Sequence, residues 1–149
     1  MTISNKKIIR RLPLFLLLII SIACSITEQP KLSDKDVAME WANMTLFITR
    51  YTPSNSPTFA SRAFGYIGLT MYESIVPGFE EYNSMNRQLN GLELLPKIDP
   101  TKEYNWALSL NASQSEILKK IYVQTSDENI QKIDSLEQVV FNQFQQGID

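Results

Sequence analysis

An all-α fold is predicted for this chain: about four amphipathic helices forming a partial helical bundle, preceded by a signal peptide and a tether. Three observations lead there. Apolar residues recur at spacings of three and four through most of residues 34–146. Helix-start residues, Ser33, Ser56-Pro57 and Thr125, stand directly before three of those runs. The first 30 residues are unlike the rest, with four basic groups, no acid until Glu28, and an apolar run from Leu12 to Ala23.

That N-terminus has the layout of an export signal. Lys6, Lys7, Arg10 and Arg11 form a basic n-region, and Leu12–Ala23 forms a 12-residue apolar core. A membrane-spanning helix needs about 20 apolar residues, so the run is short for a span and of the right length for a secretory signal. Ala23 directly precedes Cys24, the only cysteine. Ile20-Ser21-Ile22-Ala23-Cys24 resembles the lipobox of bacterial lipoproteins, where cleavage exposes a lipidated cysteine. Ser21 departs from the aliphatic residue usual at its place. The competing readings are a plain signal peptide and a short anchor. The expected division is a signal peptide over 1–23, lipidated Cys24 with a polar tether over 24–32, and a helical domain over 33–149. The expected location is the bacterial envelope, periplasmic or outer-membrane-anchored, with the membrane as partner through lipid on Cys24. Acyl chains contribute about 0.8 kcal/mol per buried CH₂, enough for several chains to hold a domain firmly.

The first helix is predicted over about residues 34–51. Ser33 is its candidate N-cap, and Asp34 and Asp36 place negative charge where the helix dipole favours it. Val37, Trp41, Met44, Ile48 and Tyr51 form its apolar stripe. Thr52–Ser56 is a loop. The second helix starts at Ser56-Pro57, since proline lacks an N–H that the first turn does not use, and Pro77-Gly78 stops it after about Val76. Ala60, Phe64, Ile67, Met71 and Ile75 make one apolar face, and Gly65, Leu69, Tyr72 and Val76 another. Only a wedge with Arg62, Thr70, Glu73 and Ser74 is polar. A helix apolar around most of its circumference is expected at the centre of the bundle. Gly65 and Gly68 each cost about 1 kcal/mol against alanine inside a helix, which points to close approach by a neighbour.

Residues 77–103 are irregular, with a short helix possible around Ser84–Leu89. Twenty-seven residues is long for a loop without a function or a partner. The third helix is expected from about Tyr104 to Val123, with Trp106, Leu110, Ile117 and Ile121 on a stripe that Ser113 and Gln114 interrupt. Thr125 and Glu128 have the spacing of a capping box for the fourth helix, lined by Ile130, Ile133, Leu136, Val140, Phe141 and Phe144 to about Gln146. Glu137 falls inside that stripe and conflicts with it.

Charge and composition exclude several functions. The chain has 14 basic and 16 acidic residues; without residues 1–23 the balance is −6. A nucleic-acid binder needs a basic face to displace counterions, so no nucleic-acid partner is expected. The chain contains no histidine, which excludes a histidine base or histidine metal ligand from it, and Ser54, Ser56 and Ser61 therefore lack the base of a serine triad. One cysteine makes no internal disulfide and no thiolate zinc site. No Gly-rich phosphate loop occurs. Glu80-Glu81 reads as a solvated loop pair rather than a catalytic one. Arg62 and Glu73, three turns apart, are each expected to pair with another element. Trp41, Trp106 and the six tyrosines have the chemistry to line a ligand groove, but aromatic stripes at helical spacing are usually core, and that is the expectation for them. Asn43-Met44-Thr45 and Asn111-Ala112-Ser113 match glycosylation sequons, which mean little in a bacterial lipoprotein. No catalytic, cofactor-binding or metal residue is expected in this chain; Cys24 is its single candidate modification site.

The run Tyr51-Thr52-Pro53-Ser54-Asn55-Ser56-Pro57-Thr58-Phe59-Ala60-Ser61-Arg62-Ala63-Phe64-Gly65-Tyr66-Ile67-Gly68-Leu69-Thr70-Met71-Tyr72-Glu73 reaches further. With Val76-Pro77-Gly78 and Gln88-Leu89-Asn90-Gly91-Leu92, it resembles the N-terminal helical region of bacterial vanadium-dependent haloperoxidase-like proteins, of the type-2 phosphatidic acid phosphatase superfamily. Trp41, Trp106 and Asn111-Ala112 fit the same pattern, over roughly residues 36–123. The resemblance implies an all-α bundle whose later helices hold vanadate or a phosphoryl group. Their motifs are Lys-x6-Arg-Pro, Pro-Ser-Gly-His and Ser-Arg-x5-His-x3-Asp, whose cations neutralise the oxyanion. None of the three occurs in this chain, so no catalytic role carries over to any residue. The chain alone is expected to be inactive, with vanadate possible only in a full-length relative. The implied partner is a missing catalytic helical domain, with self-association as the other outlet. The competing expectation is a stand-alone helical envelope lipoprotein that binds a partner or ligand.

Overall fold

The computed structural model describes residues 32–145. The chain divides into two units, Met1–Pro30 and Lys31–Asp149, and the described residues belong to the second. The predicted signal peptide, Cys24 and all of the tether except Leu32 lie outside the described residues.

Four helices and no strand occur among the described residues: α1 (Asp34–Tyr51), α2 (Pro57–Ile75), α3 (Trp106–Ile121) and α4 (Asp127–Phe144), with a 3-10 turn over Val76–Gly78. The all-helical expectation holds, and the helices pack against one another. α1 begins where its charges predict. Ser33 caps it, accepting from the Asp36 N–H while Asp36 accepts in return from the Ser33 N–H at 2.8 Å. Leu32 is drawn in just upstream, its N–H donating to Gln143 Oε1 of α4 at 3.1 Å. At the other end of α1, Asn55 Nδ2 donates to the Thr49 carbonyl, one of the acceptors that a helix C-terminus leaves free. Val37, Trp41 and Ile48 are buried as expected, but Tyr51 is exposed and Thr45 takes a core position. Thr45 fits there because its hydroxyl donates to the Trp41 carbonyl one turn back, at 2.8 Å.

α2 is capped by Ser56, which accepts from the Phe59 N–H. The helix is not the central one. Only Ala63 and Ile67 of α2 are buried, and it packs chiefly on α3. The centre is α3, which contacts α1, α2 and α4. The expected close neighbour at Gly65 and Gly68 is absent among the described residues: a Cβ on either would meet nothing within 4 Å. Close approach occurs instead at Gly78, where a Cβ would run into the Trp106 indole.

α3 is shorter than expected at both ends. Asn105 caps it by accepting from the Leu108 N–H, which leaves Tyr104 outside, stacked on Trp106 with ring centroids 5.4 Å apart. Tyr122 leaves helical geometry at the other end, and Val123 is exposed. Residues 84–89 form turns rather than a helix. Glu73 organises that turn, accepting from Ser84 Oγ at 2.7 Å and the Met85 N–H at 2.6 Å. The Thr125/Glu128 capping box does not form. Ser126 is the N-cap, accepting from the Asn129 N–H. Thr125 Oγ1 is instead bonded to Thr52 Oγ1 and Asn129 Nδ2, each at 2.9 Å, and Glu128 reaches forward to Lys132.

Candidate interaction face

Two places in the bundle concentrate chemically distinctive side chains. The first is a polar network through the core. The buried face of α3 is Ala107, Leu110, Asn111, Gln114, Ser115 and Leu118, spaced as a helical stripe of which half is polar. Trp41 Nε1 donates to Asn111 Oδ1 at 2.9 Å, and Asn111 Nδ2 donates to the Glu137 carbonyl at 2.9 Å, so one amide joins α1, α3 and α4. Ser115 Oγ donates to the Glu137 carboxylate, which also faces Lys119 Nζ at 3.3 Å. Lys119 binds Asp134 as well, at 2.5 Å. Partial burial works against its charge, but the hydrogen bonds to Asp134 and Glu137 outweigh that and hold its pKa above the ordinary lysine value. The Glu137 that interrupts the apolar stripe of α4 is thus answered by α3. A lysine held protonated is a poor base, and Ser115 is buried against a carboxylate, so the network is built to lock helices together.

Gln114 is the imperfect member. It is fully buried, its Nε2 reaches the Ile67 carbonyl at 3.4 Å, and its Oε1 has no partner among the described residues. Helical spacing alone could have found Asn111, Gln114 and Ser115, since they continue the stripe of Ala107 and Leu110. Their polarity hid it.

The second place is the outward side of α2 and the chain beyond it. Ser61, Gly65 and Gly68 are exposed there, flanked by Phe64 and Tyr66, which are 40% and 55% exposed. Past the helix, Phe79 and Tyr82 are also largely exposed and pack edge-to-face, centroids 6.4 Å apart. With Tyr72, Ile75 and Val76 they line an apolar cleft of about 240 Å³. Tyr72 keeps its hydroxyl satisfied by donating to the Asn83 carbonyl at 2.7 Å. Arg62 stands beside this surface, exposed, and makes no ion pair among the described residues; Glu73 pairs with the 84–85 turn instead. The expectation of a partner element therefore holds for Glu73, while Arg62 finds none among the described residues.

The remaining candidates are scattered. Glu80 and Glu81 are exposed in the loop, as expected. Ser54 sits at φ 64° in the α1–α2 turn, Ser56 is the N-cap of α2, and Ser61 is exposed on that helix. Asn111 and Thr45 are buried, which removes one glycosylation acceptor and the hydroxyl of the other sequon from reach. Among the described residues no group of three or more His, Cys, Asp and Glu side chains could hold a metal, and no helix is long and apolar enough to cross a membrane. Comparison with protein-family models, curated proteins and solved structures finds no match to the chain.

Proposed function

We propose that residues 33–149 are the non-catalytic N-terminal helical part of an exported, lipid-anchored protein of the vanadium-haloperoxidase-like, phosphatidic-acid-phosphatase type. The domain packs against a catalytic helical bundle and supplies it with a rigid wall rather than a reacting group. The observation supporting this is the bare outward side of α2. Most of the run over residues 51–73 that carries the family resemblance lies on that helix, where a Cβ on Gly65 or Gly68 would meet nothing within 4 Å among the described residues and Phe64 and Tyr66 are 40% and 55% exposed. Apolar surface of this kind on a small domain is a mark of a docking partner. The oxyanion, vanadate or a phosphoryl group, would be held by the partner's residues, since no residue of this chain matches the motifs that bind it.

A second reading is favoured by the core network. Trp41, Asn111 and Glu137 tie three helices without outside help, which suits a stand-alone envelope lipoprotein binding a partner or ligand. The coding DNA downstream of Asp149 discriminates: the two histidine motifs in any frame support the first reading, and an unrelated gene supports the second. Both readings include the lipid anchor. Metabolic labelling with a fatty acid is expected to mark the wild-type chain and not Cys24→Ala; label that persists in the variant sinks the anchor.

A further inference from the structure

We draw no further inference here: the strongest candidate, the outward face of α2 around Gly65 and Gly68, carries nothing, because nothing in the structure shows what covers it and Glu73, the carboxylate that a second copy could offer to Arg62, is already held by Ser84 and Met85 of its own chain.

Discussion

Asn111 and Gln114 sit one turn apart on the same buried face, and their hydrogen bonding gives them opposite energetic roles. Asn111 uses both ends of its amide at 2.9 Å, so Asn111→Leu strands the Trp41 indole N–H inside the core and removes a donor from the Glu137 carbonyl. An orphaned buried polar group costs about 1–3 kcal/mol. Gln114 makes one long bond and leaves Oε1 unpaired, so Gln114→Met, which keeps the volume, removes an unpaired acceptor along with a weak donor. The expected outcome is a loss of about 1–3 kcal/mol for Asn111→Leu and a change within about 1 kcal/mol for Gln114→Met. Urea unfolding of the two variants side by side checks it; equal losses would show that Gln114 is bonded as fully as Asn111.

Gly78 is the other residue whose identity the packing dictates. An alanine methyl there would lie 2.7 Å from Trp106 Cδ1 and nearer still to Nε1 and Cε2. Gly78 does not use a left-handed backbone, so the cost of Gly78→Ala is steric and falls on the indole. Trp106 is only half-buried and can swing, which places the expected loss at about 1–3 kcal/mol, the range for overpacking. Thermal unfolding followed by tryptophan fluorescence reads both the loss and the moved ring; an unchanged midpoint and spectrum would contradict the contact.

At the scale of elements, α1 was legible from sequence because every local signal agrees there: cap, acidic first turn and a stripe through Val37, Trp41 and Ile48. α2 was legible in its limits and misleading in its place. Its apolar residues run around most of the cylinder, which reads as burial on most sides, yet α3 covers mainly the Ala63 and Ile67 side. The central place of α3 is hidden in the sequence for the converse reason. Half of its inner face is polar, and a hydropathy stripe does not register Asn111, Gln114 and Ser115, whose burial depends on partners that lie 22 to 70 residues away. Glu137 was illegible on the same grounds: its acceptance depends on Lys119 and Ser115 of another helix. The outward side of α2 allows a direct check. Gly65 and Gly68 pay the helix cost of glycine with no contact in return among the described residues. Gly65→Ala and Gly68→Ala are each expected to stabilise the isolated domain by about 0.5–1 kcal/mol in urea unfolding. A loss at either position would mean that another chain packs there in solution.

The whole domain carries the consequence of placing the apolar helix at the side. Phe64, Tyr66, Phe79 and Tyr82 add aromatic surface on and beyond α2, and Leu94 of the long loop is almost fully exposed. On α4, Val139 and Phe141 are about half exposed, although Phe144 is packed on the core. Contiguous apolar surface beyond a few hundred Å² on a small domain leads to partner binding or association. Opposing that is charge: residues 25–149 hold ten basic and sixteen acidic groups, and like-charged domains repel most at low salt. Residues 25–149 are therefore expected to self-associate, and more so as salt screens the repulsion. Light scattering at low and at physiological ionic strength measures this, with urea unfolding at several protein concentrations as the companion. Association that grows with salt, and an unfolding midpoint that rises with concentration, is the expected pair, because a contact made only by the folded form stabilises it by mass action. A monodisperse monomer at both ionic strengths, with a steep and concentration-independent transition, would show that the exposed aromatics need no cover, and the weight would pass to the stand-alone lipoprotein.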